Sequence, residues 1–556
     1  MVERASYRKS RRLRLLRHTP FLLWCVLALF VLVVEMRPGR FYFITSFLLF
    51  QDSLVHLLQY LLLLGVSLTG LLLLLFNRSK LLAYGLLAFL LPCMIISLTF
   101  RFVTGYNFMY TDAVLAWNNL ALADTAVQNY NWQVAAAFAS ALAITAGIIW
   151  ARKKVAWRAA PWSAILFPLT AGAIFYQIKS TTGVVDDFPA AYRVPLTILA
   201  AVTDRLPQPV RRPVPVSTVA KGVPHLFLIV DESITATELT LHNPHLLTTP
   251  FLNSVREQIQ DFGIASSMTN QSGGSNIALM SGTRMSELPD TGFHTFSSTN
   301  IFQFARKAGY TTYYIDAQQG GEVLQNFMSP EDLKYIDYVE RPANQHPKKP
   351  YHDRDMWVAN RLAQLAKEKT KVFAFVVKVG AHWPYARTYP ADSAVFTPVL
   401  SPRSIYKDPE RTLNTYHNSL RWTVDHFWRQ LMHSISPADS TVVVYTSDHG
   451  QNLTQAGLSL THASVHDTSP QEAAVPLWIW DPGQLSGATR AAKTRQGYSH
   501  EHIFPTLLRL QGYSPAWVRQ QYGPSLLETM TTPRPQRFFL SGDLFGRGSY
   551  SLVPFR

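Results

Sequence analysis

The sequence predicts a two-part chain, an α-helical membrane domain of about five spans followed by a doubly wound α/β domain. Three observations predict it. Apolar residues concentrate in the first third of the 556 residues, a proline-rich tract follows, and beyond it short β-branched and aromatic runs alternate with helical patterns.

Five apolar stretches approach or reach spanning length, at 20–36, 57–76, 81–100, 132–151 and 161–178. The apolar run 41–50, "FYFITSFLLF", is too short to span alone and reads as a re-entrant or interfacial piece. The net charge of +15 would fit a nucleic-acid partner if it were spread over a soluble domain. It is not spread. The leader "MVERASYRKSRRLRLLRH", "NRSK" at 77–80 and "ARKKVAWR" at 151–158 together carry a net +12 of it. All three fall on one side of a five-span topology, the positive-inside pattern for a cytoplasmic N-terminus, so the large C-terminal part is extracytoplasmic. No nucleic-acid function follows. "EMRPGRFYF" after the first stretch offers no small-residue cleavage site, so that stretch reads as an anchor.

Cys25 and Cys93 both lie in predicted spans, so the exported domain has no disulfide and depends on its core. Residues 186–206, "DDFPAAYRVPLTILAAVTDRL", read as a helix lying at the membrane surface, and 207–224, "PQPVRRPVPVSTVAKGVP", as a stiff linker. The expected divisions are a basic leader at 1–19, a transmembrane domain at 20–180, the interfacial helix and linker at 181–224, and the exported domain at 225–556.

In that last part "HLFLIV" (225–230), "YTTYYI" (310–315), "KVFAFVVKV" (371–379), "TVVVYT" (441–446) and "VPLWIW" (475–480) read as strands. Candidate helices such as "NIFQFARKA" and "RDMWVANRLAQLAKE" lie between them, which argues a largely parallel sheet covered on both faces. Function then sits past the carboxyl ends of the strands. The first strand ends in "VDES", with Asp231 and Glu232 at its tip; "TVVVYT" runs into "SDHG", with Asp448 and His449; "KVFAFVVKV" runs into "GAHWPY", with His382. Carboxylates and imidazoles gathered at one sheet edge suit zinc or another divalent metal. Each taken singly is weak, since Asp-His-Gly after a strand is often a turn with a capping Asp. Three such tips, with the loop "NQSGGSNIALMSG" at 270–282, point to a site. That loop runs into a helix and aims N–H groups at an anion, which suits phosphate or sulfate chemistry, although such clusters are commonly ordinary N-caps. Either of its first two serines, Ser272 or Ser275, offers a hydroxyl there.

Residues 225–514 resemble the catalytic domain of the lipid-dependent phosphoethanolamine transferases, members of the alkaline phosphatase and sulfatase superfamily. "VDES" is similar to the end of the family's first strand, whose Glu binds zinc, which implies Glu232 as a ligand. "TSDHGQNL" is similar to the family's metal-binding Asp-His-Gly, implying Asp448 and His449, and "GAHWPYARTYP" to its Ser-His-Gly-Pro setting, implying His382. His462 in "LSLTHASVHD" resembles a later family histidine with one extra residue in the spacing, and "SHEHIFPTLL" resembles the Ser-His motif before the last helix, which brings in His500. The family's nucleophile is a threonine at a helix N-terminus. Counted from Glu232 through "TTP" at 248–250 and Phe262, its position falls on Ser272, with Ser275 the runner-up. Serine keeps the hydroxyl, the family's common disulfides are absent, and formylglycine-dependent sulfatase chemistry is excluded because the exported domain has no cysteine.

The resemblance implies a bacterial inner-membrane enzyme with a periplasmic catalytic domain. It would move phosphoethanolamine from phosphatidylethanolamine to a hydroxyl of an envelope glycan or lipid A through a covalent phosphoserine-type intermediate. Zn²⁺, or another divalent ion such as Mn²⁺ or Mg²⁺, would be held by Glu232, Ser272, Asp448 and His449. Gly273, Gly274, Ser275, Asn276 and His500 would contact substrate, and Ser272, His382 and His462 would carry the catalysis. The rivals are a phosphoglycerol transferase using phosphatidylglycerol, a phosphodiesterase or phosphatase with water as acceptor, and an inactive envelope scaffold. The full set of metal-type residues argues against the scaffold.

Overall fold

The computed structural model describes residues 19–36, 54–104, 130–179, 188–203, 206–321, 324–401, 408–453, 461–463, 468–486, 497–528, 536–547 and 550–555, with single positions between 41 and 49 and between 107 and 113. The basic leader lies outside the described residues, as does part of "FYFITSFLLF", whose described positions are helical. The chain divides into two compact units, Met1–Arg205 with Arg547–Ser549, and Leu206–Gly546 with Tyr550–Arg556.

In the first unit α1 (Thr19–Met36), α2 (Leu54–Leu75), α3 (Lys80–Thr104) and α4 (Asn131–Lys154) are long and apolar enough to cross a membrane. Among the described residues there are four such helices, where five spans were expected. The fifth stretch is a 3-10 turn, Pro161–Ile165, leading into the 14-residue α5 (Leu166–Lys179). Both segments carry a proline in their first turn, Pro161 in the 3-10 turn and Pro168, which has no N–H to donate, in α5.

The basic segment 151–158 also holds spans together. Arg152, at the end of α4, is buried, and its guanidinium donates to Leu75 O at 2.7 Å and to Asn77 O at 2.6 Å. It thereby caps carbonyls that the last turn of α2 leaves unpaired. The helix expected at the membrane surface is α6 (Ala190–Thr203), and it packs into the bundle. Tyr192 stacks on Phe167 of α5 at 4.5 Å, and the buried Arg193 donates through Nη2 to Ser97 Oγ of α3 at 2.6 Å.

The second unit is built on a seven-stranded mixed sheet of order β2-β7-β6-β1-β5-β3-β4. Its strands are β1 (His225–Asp231), β2 (Ile259–Ser266), β3 (Thr311–Asp316), β4 (Tyr338–Glu340), β5 (Val372–Val377), β6 (Thr441–Ser447) and β7 (Ala474–Trp480). From β6 through β1, β5 and β3 to β4 every pairing is parallel, and β7 runs antiparallel to both β6 and β2. β1 shows why the strand sequences are apolar throughout. Leu226, Leu228 and Val230 enter one core with Ile277 and Leu507, while Phe227 and Ile229 enter the other with Leu362 and Trp428. All five expected strands are present, with β2, β4 and the separate hairpin β8 (Arg537–Gly542) and β9 (Tyr550–Phe555) in addition. β2 has a weak strand pattern because it carries an irregularity between Asp261 and Ile264, where Gly263 takes φ 78°. Two helices matter for the site: α7 (Ser272–Ser281) and α8 (Asp353–Leu365).

Candidate active site

β1 and β6 are neighbours, with Asp231 opposite Ser447, so the residues just past their ends converge. Those residues are Glu232 and Ser233 on one strand and Asp448 and His449 on the other. Ser233 turns the chain with φ 63°, a left-handed conformation that costs a non-glycine residue energy and is held here by three bonds. Its N–H donates to Asp448 Oδ1 at 3.0 Å, its hydroxyl to Glu232 Oε1 at 2.7 Å, and its carbonyl accepts from Tyr416 OH at 2.8 Å.

The serine loop comes in from α7. Ser272 is the first helical residue, after Gln271 in extended conformation, and its Oγ lies 3.2 Å from Glu232 Oε2 and 3.3 Å from His449 Nε2. Ser275 turns the other way. Fully buried, it donates to Thr269 O at 3.1 Å and accepts from Thr269 N at 3.2 Å, so its hydroxyl braces the loop. A Cβ on Gly274 would come within 2.7 Å of Thr269 Oγ1, and one on Gly273 within 2.9 Å of the Phe327 ring, so both glycines serve close packing at the helix start. Asn276 donates to Ser272 O at 3.0 Å, and its buried Oδ1 has no hydrogen-bond partner.

The three expected histidines take different places. His462 stacks on His449, with ring centroids 4.3 Å apart and 19° between planes. Burial and the adjacent His449 push its imidazole down to about 3, so it is neutral at pH 7. His382 follows β5, half-buried, with Nδ1 2.6 Å from Trp383 O, and its charge acts on Glu232 without direct contact. His500 is not brought to the cluster. It is buried, its Nδ1 accepts from Met268 N at 3.4 Å and its Nε2 donates to Ser447 O at 2.9 Å, leaving no ring nitrogen for a substrate.

Sequence reasoning missed the residues behind the cluster. Gln318, just past β3, donates through Nε2 to Glu232 Oε2 at 3.0 Å and to Lys378 O at 2.9 Å. Asp231 is no part of the open site: Lys378 Nζ lies 2.5 Å from its Oδ2, and Tyr445 OH donates to the same oxygen at 2.7 Å. Asp355 of α8 sits 3.7 Å from the same ammonium and accepts from the N–H groups of Val379 and Gly380 at 2.8 and 3.0 Å. Gly380 takes φ 53°, and a Cβ there would stand 2.5 Å from Glu232 O, so this tight passage requires glycine. The signal available for Gln318 was its place after a strand that the pattern had already located; Lys378 read only as one residue of an apolar strand.

Glu232, Asp448 and His449 each offer one donor atom, all within 4.8 Å of one another. Asp448 Oδ1 is used by the N–H groups of Ser233 and His449, but its buried Oδ2 has no hydrogen-bond partner. His449 Nδ1 donates to Gly450 O at 2.8 Å, which leaves the Nε2 lone pair for the cluster. Burial would raise the Glu232 carboxyl, yet the bond and charge of His449 hold it well below the usual range. Burial and the charge of Glu232 push Asp448 up to about 8. Against burial, which lowers it, the two carboxylates raise His449 to about 9. Two carboxylates, one imidazole and one hydroxyl, short of a positive charge, make a donor set that fits a divalent cation.

A mixed α/β sheet with a cation-ready cluster at its strand ends and a hydroxyl on a helix N-terminus defines a class of phosphoryl- and sulfuryl-transfer domains. The chain belongs to the Sulfatase family, whose model matches residues 224–513. It is similar to phosphatidylethanolamine transferase Mcr-1 of Escherichia coli, 34% identical over 138 residues, covering 24% of this chain and 25% of that protein. It is also similar to phosphoethanolamine transferase EptA of Salmonella typhimurium, 31% identical over 147 residues, covering 24% of this chain and 26% of that protein. The chain thus matches about a quarter of the length of these curated relatives. Among solved structures, the integral membrane lipooligosaccharide phosphoethanolamine transferase A of Neisseria meningitidis shares its fold. The TM-score is 0.60 at 17% identity, over 88% of this chain and 95% of that one. The kinship expected from the motifs is borne out.

Proposed function

We propose that this chain transfers phosphoethanolamine from phosphatidylethanolamine to a hydroxyl of an envelope glycan or lipid A, through a covalent intermediate on Ser272. The observation that carries the reading is the Ser272 hydroxyl, at the first turn of α7 and within 3.3 Å of both Glu232 and His449. The names of the matched relatives, phosphatidylethanolamine and phosphoethanolamine transferases, support the donor. The basic segments at 77–80 and 151–158 support a cytoplasmic N-terminus and an inner-membrane location, and a periplasmic catalytic domain further requires the 3-10 turn and α5, 161–179, to cross the bilayer together as the odd span.

Zn²⁺, held by Glu232, Asp448, His449 and Ser272, would lower the pKa of the serine hydroxyl and offset charge on the phosphoryl oxygens. Ser272 Oγ attacks phosphorus, the bond to the glycerol oxygen breaks, and the serine gives up its proton as the leaving oxygen gains one. The first N–H groups of α7, which have no intrahelical acceptor, stand where that negative charge builds. His382, half-buried at the edge of the cluster, protonates the departing diacylglycerol. His462, neutral in the folded protein, takes the proton of the acceptor hydroxyl as it attacks the intermediate. Asn276, with a free buried Oδ1, orients the donor headgroup.

Mass spectrometry of the peptide spanning 257–284, from full-length protein incubated with phosphatidylethanolamine, tests this. A phosphoethanolamine adduct on Ser272 is expected. A phosphoglycerol adduct from mixed lipids would replace the donor, and an adduct on Ser275 would overturn the nucleophile.

A further inference from the structure

Beside the cluster stand two arginines that no carboxylate pairs with directly. Arg354 is the second residue of α8, and Arg387 belongs to the 3-10 turn Tyr385–Arg387 that follows His382. Their guanidinium carbons lie 4.8 and 5.5 Å from the centroid of one ring, that of Tyr351. Among the described residues neither has a carboxylate within ion-pair distance, and the neighbouring acids have nearer partners, although the charge of Arg354 also bears on Asp316. Asp316 pairs with Arg341 at 3.7 Å and accepts from Gln318 N and Gln319 N, Asp353 pairs with His352 at 3.6 Å, and Asp355 faces Lys378.

This pair is tied to the reacting centre. Arg354 Nη1 donates to Gln318 O at 2.8 Å, and the side chain of Gln318 in turn holds Glu232. Burial pushes the Tyr351 phenol up, Arg354 and Arg387 act against that push, and the charge of Glu232 adds to it, which places the ring in the field of the cluster. A cation–π contact is a weak return for gathering two like charges on one ring, whereas an oxyanion between them would be bound bidentately by groups of matching geometry. The donor's reacting phosphorus has its countercharge at Ser272 and the cation-binding triad, and its amine is cationic. A second anion is therefore the one left to recognise, and the exposed Arg387 stands where it would arrive.

We propose that Arg354 and Arg387, around Tyr351, form a subsite for an oxyanion, phosphate or carboxylate, carried by the acceptor. The inference rests on the transferase reading above. Arg387→Gln is the first variant, because that side chain is exposed and makes no hydrogen bond among the described residues; Arg354→Gln/Arg387→Gln is the second. Metal-loaded, full-length protein in phosphatidylethanolamine nanodiscs is given two synthetic dodecyl glucosides that differ only by a phosphate monoester. Diacylglycerol release without acceptor is measured alongside. The wild type is expected to use the phosphorylated acceptor with a kcat/KM about tenfold above the neutral one. The variants lose most of that preference, chiefly through KM. Equal use of the two acceptors by the wild type, use of neither included, overturns the subsite, and so does a preference that survives in both variants. A fall in diacylglycerol release as large as the fall in transfer would give the arginines to the donor's phosphate, and equally overturns it. No diacylglycerol release by the wild type refutes the transferase reading itself, and the subsite falls with it.

Discussion

Two buried carboxylates stand side by side in sequence at the tip of β1, and the chain treats them in opposite ways. Asp231 is answered from every side: Lys378 at 2.5 Å, Tyr445 at 2.7 Å and the N–H of Glu232 at 3.0 Å, with Asp355 completing the node and two backbone N–H groups completing Asp355. The Lys378 ammonium also donates to Thr423 O and lies over the Phe427 ring. Glu232 stands instead with Asp448 and has neutral donors, Ser233, Gln318 and Ser272, with only the His449 imidazole able to carry positive charge, and Asp448 Oδ2 is left without a hydrogen-bond partner. A buried charge must be paired, and the chain has paired the first set itself while leaving the second one cation short. The first set therefore holds β1 to β5, and the second is where a ligand belongs.

Ser272→Ala tests this contrast most severely. It removes the hydroxyl but none of the triad, so transfer is expected to fall by roughly 10³ or more while metal content and thermal unfolding stay near wild type. Persistent transfer would move the nucleophile elsewhere. Asp448→Asn acts on the deficit itself, and zinc affinity, read by chelator competition, should fall by about 100-fold or more, with little loss of apo-protein stability because the carboxyl it replaces already carries a proton at neutral pH. Lys378→Met should do the reverse. It strands Asp231 and Asp355, costing about 3–5 kcal/mol in denaturant unfolding. A Lys378→Met protein of full stability would mean that the node does not hold the sheet.

The contrast also explains what could be read ahead of the fold. Glu232, Asp448 and His449 were legible because they directly follow apolar runs, and a strand end fixes where the next residue goes. Ser275 and His500 were not separable from real contacts by spacing. Whether a hydroxyl faces the cleft or Thr269, or an imidazole the cleft or Ser447 O, is decided by packing between segments far apart in sequence. The same holds for Lys378, whose partner Asp231 is 147 positions away, and which looks locally like one polar residue in a strand. In the membrane unit, hydropathy measured the length of the fifth stretch but not that its first five residues wind as a 3-10 turn rather than as α-helix.

A smaller effect follows from protons. In the metal-free protein Asp448 is pushed up to about 8, by burial and Glu232, and His449 to about 9, with the carboxylates outweighing burial. Below those values both groups carry protons that a cation must displace, so zinc affinity should rise with pH, by roughly tenfold per unit for each proton released, and level off above about 9. Calorimetric titration from pH 6 to 9.5 reads this directly. A flat profile would mean that the cluster is already deprotonated, and the charge deficit would lose its main support.

The smallest expected effect falls where the two regions touch. Gln318 donates one amide to Glu232 Oε2 at 3.0 Å and to Lys378 O at 2.9 Å, so it links the metal cluster to the strand that carries the paired lysine. Gln318→Ala removes both bonds, each worth about 0.5–1.5 kcal/mol net, and frees Glu232 to swing. Because Ser233 and His449 still hold Glu232 Oε1, the loss should be partial: about a five- to tenfold weaker grip on zinc, with unfolding little changed. If affinity does not move, the triad is ordered without the bridge and the two carboxylate sets are independent. If stability falls as far as in Lys378→Met, the bridge belongs to the structural node, and the line between the two regions must be redrawn on the other side of Gln318.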